Sequence, residues 1–217
     1  MAAPQDASAL VRIWDPLVRV SHWLLAAEFA IAYVTEGEPE WLRTYAGYTL
    51  FGVVALRIVW GFVGPRRARF ADFVTGPWAA LAYLKKLIAR TPPRYLGHSP
   101  AGGVMTVALL AALAAATFTG MANFAAKDGE GPLAGIIEMT PRPVEGAGQA
   151  TAEQRGGENG GEHDGGEGEE SLWQEAHGIF TNLALLPVGL HLGGVAPASW
   201  KHRENLPRAM VTGDKHA

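Results

Sequence analysis

Four stretches of this chain are apolar over a length that crosses a bilayer, and nothing else in the sequence limits the fold as much. A hydrocarbon core about 30 Å thick takes about 20 residues of helix to cross. Within it every backbone N–H and C=O must bond inside the protein, which leaves helices or a closed barrel. Residues 18–34, 45–63, 102–124 and 172–198 have the length and composition of spanning helices. The first is interrupted by Arg19, His22 and Glu28, and the second by Arg57 alone. The third carries no charge, and Pro187 predicts a kink in the fourth. The expected fold class is an all-α membrane protein, a four-transmembrane-helix bundle forming a single domain over residues 1–217.

The charges between these stretches agree with that count. Arg12 precedes the first; Arg66, Arg67, Arg69, Lys85, Lys86, Arg90 and Arg94 fall between the second and third; Lys201, Arg203, Arg208 and Lys215 follow the fourth. The remaining two loops are acidic, with Glu36, Glu38 and Glu40 in the first of them. Short basic loops stay in the cytoplasm. With four spans all three basic regions fall on that side, so both termini are expected to be cytoplasmic. The N-terminus MAAPQDASALVRIWD has no apolar core before a small-residue cleavage site and reads as part of the mature chain. FADFVTGPWAALAYLKKLIA mixes aromatic and basic residues and reads as an amphipathic helix on the inner surface. Residues 141–170 form a Gly/Glu-rich insert in the last outer loop, with too little apolar surface to offset its ordering entropy, and are expected to be disordered. His163 within it reads as a solvated residue.

The chain has no cysteine, which excludes disulfides, thiolate metal sites and covalent CxxCH haem. The histidines are therefore the residues to follow. In HGIFTNLALLPVGLH, His177 and His191 lie nearly four turns apart on one helix face, about 21 Å along the axis. That is too far for one metal and suits two sites, one near each membrane surface. His191 lies ten residues before Lys201 and His22 ten residues after Arg12, so both reach about 15 Å in from the cytoplasmic side. Two helices presenting imidazole at one depth suit a bis-histidine, non-covalent haem. Ala26, Gly189, Gly193 and Gly194 would let a macrocycle approach the backbone. Zinc is the main competitor, but no HExxH motif or close carboxylate cluster is present. Each histidine alone also reads as a hydrogen-bonded packing residue.

RIWDPLVRVSHW, GYTLFGVVALRIVWGFVGPRRARFADFVTGP, YLGHSPAGGVM, DGEGPLAG and HLGGVAPASWKHRENLPRAMVTGDK resemble the bacterial cytochrome b561 family, in the branch related to the b-type subunits of nickel–iron hydrogenases. The resemblance covers nearly the whole chain outside the Gly/Glu-rich insert. It implies four spans and two b-type haems that pass electrons between membrane quinone and a redox partner. The inner haem would be held by His22 and His191. The outer haem would use His177 and a second-helix histidine four residues before Gly47. Here the sequence departs from the family: that position is Arg43, and no histidine occurs from Trp41 to Val63. Arginine stays protonated and is a poor iron ligand, though it can contact a propionate. The outer haem is then absent, five-coordinate through His177, or completed by another residue. His98 in GHSP matches a family motif and lines a quinone pocket, contacts a propionate, or simply opens a helix with Ser99 and Pro100. Arg57 needs a buried anion, a propionate or Glu28.

The expectation is thus a multi-pass protein of the bacterial inner membrane that carries electrons through haem b iron. Its partners would be lipid, quinone, and a c-type cytochrome or periplasmic oxidoreductase subunit, with a homodimer as a further possibility and no nucleic acid. It reads as an electron carrier or membrane subunit of an oxidoreductase, not a stand-alone enzyme. A non-redox transporter or scaffold with packing or proton-relay histidines is the competing reading, and a quinol oxidase producing superoxide is a third.

Overall fold

A computed structural model describes residues 10–35, 39–89, 93, 95, 97–137, 165–202 and 205–216. Within them run β1 (Leu10–Arg12), α1 (Pro16–Val34), α2 (Glu40–Val63), α3 (Phe70–Phe73), α4 (Pro77–Ile88), α5 (Pro100–Asp128), α6 (Gly165–His202), α7 (Leu206–Thr212) and β2 (Asp214–His216). Four helices are long and apolar enough to cross a membrane: Pro16–Val34, Trp41–Val63, Pro100–Asp128 and Leu172–Lys201. The four predicted spans are present, each somewhat longer than its apolar core alone suggested.

Local chemistry sets where these helices begin. Asp15 caps α1, its Oδ1 accepting from the N–H of Leu17 at 2.9 Å and of Val18 at 3.3 Å, with Pro16 in the first turn where no N–H is needed. Ser99 does the same for α5, its Oγ accepting from Gly102 N at 3.1 Å ahead of Pro100. The second span starts before residue 45, because nothing between Glu40 and Tyr45 breaks a helix. α6 runs unbroken through Pro187 and Pro197. It also begins at Gly165, so the last six residues of the expected disordered insert are helical. The rest of that insert, with His163, lies outside the described residues.

The chain forms two compact units, Met1–Thr117 with Phe180–Ala217, and Phe118–Ile179. In the first, α1 packs closely on α2. Ala46, Leu50, Val54 and Arg57 recur every three or four residues and make the buried stripe of α2. Leu50 and Val54 meet Leu113 of α5, and Leu25, Phe29, Ile58 and Ala114 close around them. Between membrane helices such contacts hold by close packing, since lipid tails are as apolar as leucine. The outward faces are correspondingly apolar: Trp23, Leu24, Ile31, Val59, Phe62, Leu186, Leu190 and Leu192 are all exposed. α4 keeps Ala80 and Tyr83 buried and turns Trp78, Leu81, Leu84 and Ile88 outward beside Lys85 and Lys86, the pattern expected of a surface-lying helix. In the second unit Met121, Ala122, Ala125 and Ala126 are buried, and Phe118 meets Trp173 edge to face.

Candidate functional site

His22 lies six residues into α1 and His191 eleven residues before the end of α6. The fold brings them together: their ring centres are 6.1 Å apart, with the ring planes at 61°. A metal–imidazole bond is about 2 Å, and each ring centre sits about 1 Å behind its nitrogen, so two imidazoles on opposite sides of one iron have centres roughly 6 Å apart. Trp23 stands edge-on to His22 at 5.3 Å. Both rings are partly buried, and the Nδ1 of His22 is buried without a hydrogen-bond partner.

Arg57 arrives at the same place from the buried stripe of α2. It is only 5% exposed, and its Nη1 is buried without a partner. No ion pair to it forms among the described residues. A buried guanidinium with an unmet donor calls for an anion. Glu28 forms no ion pair with it, and Asp15 has its Oδ1 engaged in capping α1. The charge of Arg57 is felt by both His22 and His98.

His98 precedes α5, enclosed by aromatic rings. Phe73 stacks on it at 4.1 Å and 24°, and Trp14 meets it edge-on at 4.8 Å and 85°. Burial pushes its pKa down to about 4, and the positive charges of Arg57 and Lys215 push the same way. Its Nδ1 is buried without a partner. The helix-entry account of GHSP matches the capping role of Ser99, and Tyr83 bonds that same serine.

His177 sits elsewhere, in the second unit, against α5. A Cβ at Gly120 would lie 3.0 Å from its Cε1 and 3.2 Å from its Nδ1, so the ring packs tightly against the glycine. Arg43 is exposed near the start of α2, one step along the stripe that leads through Ala46 and Leu50 to Arg57. Asp15, Trp14 and Phe73 are site neighbours that the sequence reading passed over. Asp15–Pro16 is a helix-start signal, but nothing local tells that it lies near Arg57.

The donor set fits a b-type haem. Among the described residues no three histidine, aspartate or glutamate side chains gather as a metal site. A facing pair of imidazoles therefore suits an iron that brings its other four ligands with it, and the unmet donor of Arg57 suits a propionate. A Cβ built at Gly194, one turn beyond His191, meets nothing within 4 Å, so the face of α6 beside the ligand is open. The fold is that of a four-span membrane protein, and the paired imidazoles of its first and last spans suit a metal macrocycle. The chain belongs to the prokaryotic cytochrome b561 family, whose model matches residues 13–213. The family is one of multi-pass bacterial membrane proteins that bind b-type haem and transfer electrons. Neither the search of curated proteins nor that of solved structures returns a match.

Proposed function

We propose that this chain holds one bis-histidine haem b between His22 and His191, and carries electrons across part of the inner membrane between the quinone pool and a c-type cytochrome or periplasmic oxidoreductase. The reading places both termini and α4 at the cytoplasmic face, where the basic residues lie. The observation that carries it is the imidazole pair with ring centres 6.1 Å apart. When bound, the haem supplies a one-electron ferric/ferrous couple.

The chain's own residues do the rest. His22 and His191 would hold the haem iron between them, a donor pair that favours electron transfer over oxygen chemistry. Arg57 would bind a propionate and, as a fixed cation, favour the reduced state. Trp23, Leu24 and the apolar face of α6 keep water from the pair. His98 stays neutral at physiological pH, so it is available to accept a hydrogen bond from a quinol hydroxyl. His177 lacks the second-helix histidine that its counterpart in the family pairs with, and Arg43 cannot replace it as a ligand. We therefore assign one haem per chain, not two.

The test is a reduced-minus-oxidised spectrum of the purified protein and its variants. The expected result is a b-type α band that disappears in His22→Ala and His191→Ala and persists in His177→Ala. A colourless protein would favour the transporter or scaffold reading instead.

A further inference from the structure

We propose that a clasp joining the two ends of the chain sets the spacing between His22 and His191, with Gly213 as its positioning residue. Its consequence for haem rests on the ligand assignment above; the clasp itself does not. The paired histidines belong to the first and last spans, and the extensive close packing of α1 is on α2, not on α6. On α6, a Cβ at Gly189, Gly193 or Gly194 meets no neighbour within 4 Å. Helix packing alone therefore does little to hold α6 at the distance that pairs the rings.

The chain ends supply the tie. β1 and β2 pair antiparallel, Leu10 with His216, Val11 with Lys215 and Arg12 with Asp214. The carbonyl of Gly213 accepts from Ile13 N at 2.8 Å and Trp14 N at 3.1 Å, just before Asp15 opens α1. Arg19, in the first turns of α1, donates to the carbonyl of Val211 at the end of α7. α7 is tied back to α6, since Leu206 N donates to Ser199 Oγ at 3.4 Å. The path from His22 to His191 thus runs along stiff helix and through these bonds.

Two further inner segments fasten the clasp. Lys215 is buried and its Nζ donates to Tyr95 O at 3.5 Å. Arg67, held at φ 74°, donates through Nη1 to Arg12 O at 3.2 Å. The ion pair Arg12–Asp214, at 3.8 Å with Arg12 well exposed, adds little. Gly213 matters most, because it takes φ 89° where an L side chain rarely goes. A Cβ there would also stand 2.9 Å from Arg19 Nη1 and 3.3 Å from Trp14 O. With the ends joined, the ordering cost of bringing two distant helices together is met before haem binds.

The absence of native cysteine makes the test clean. Spin labels at Trp23→Cys and Leu192→Cys, both exposed and next to the two histidines, report the α1–α6 distance by double electron–electron resonance in nanodiscs, with and without haem. The parent pair should give one narrow distribution. Gly213→Val should broaden it and lower haem retention roughly tenfold, equivalent to about 1.4 kcal/mol, with part of the ferric signal turning high-spin. Gly213→Asn, which tolerates positive φ but still brings a Cβ against Arg19, should broaden it less than Gly213→Val. Deletion of residues 214–217 should broaden it too, and gives the answer if Gly213→Val does not fold. An unchanged distribution in both disrupting variants would overturn the clasp. A broadened distribution with haem binding and potential unaffected would support the clasp and count against His22 and His191 as the ligands.

Discussion

The two intramembrane histidines of α6 are the same side chain in different company. His191 faces His22 with ring centres 6.1 Å apart, beside a buried arginine whose Nη1 has no partner. His177 rests against Gly120, and the second helix carries Arg43 and no histidine. The difference teaches that an imidazole in a span is not a haem site by itself. A facing imidazole, room for a ring and an anion-seeking donor have to converge on it, and among the described residues the region of His191 combines a facing imidazole with that donor.

The comparison breaks most sharply on the ligands. His191→Ala and His22→Ala should each remove the low-spin b-type absorbance almost entirely, while His177→Ala leaves it intact; equal losses in all three, read as haem per polypeptide, would erase the distinction. Arg43→His restores the residue type that the family places on the second helix. It should raise haem content from about one toward two per chain, and an unchanged count would mean that more than one residue closed the outer site.

Arg57→Gln sharpens the inner end without removing it. Loss of a buried cation near the iron should lower the midpoint potential by tens of millivolts in a redox titration. A potential that does not move would place Arg57 away from the haem. The smallest effect concerns His98. Its folded pKa lies near 4, below the ordinary 6.5. The unfolded chain therefore takes up a proton first as pH falls, and stability is lost between about pH 6.5 and 4, by at most about 3 kcal/mol. His98→Gln should flatten that part of the melting-temperature profile; an unaltered profile would mean that the loss comes from other groups.

The spans were legible because lipid imposes a long, simple pattern. So was the common height of His22 and His191, because helical rise converts residue counts into height. The two-faced character of α4 was equally readable from Trp78, Leu81, Leu84 and Ile88 recurring beside two lysines. What stayed hidden depends on partners distant in sequence. Three-residue strands carry no periodicity, so Leu10–Arg12 and Asp214–His216 gave no sign of pairing. Asp15 caps α1 ahead of His22, but nothing local in the sequence tells which residues of other helices lie beside it.

The central claim is that one iron lies between His22 and His191. Ferric electron paramagnetic resonance of the His177→Ala protein, integrated against polypeptide, tests it most directly. One low-spin, bis-imidazole signal per chain, abolished by adding either His22→Ala or His191→Ala, is the predicted result. A signal that survives both of those changes would contradict it.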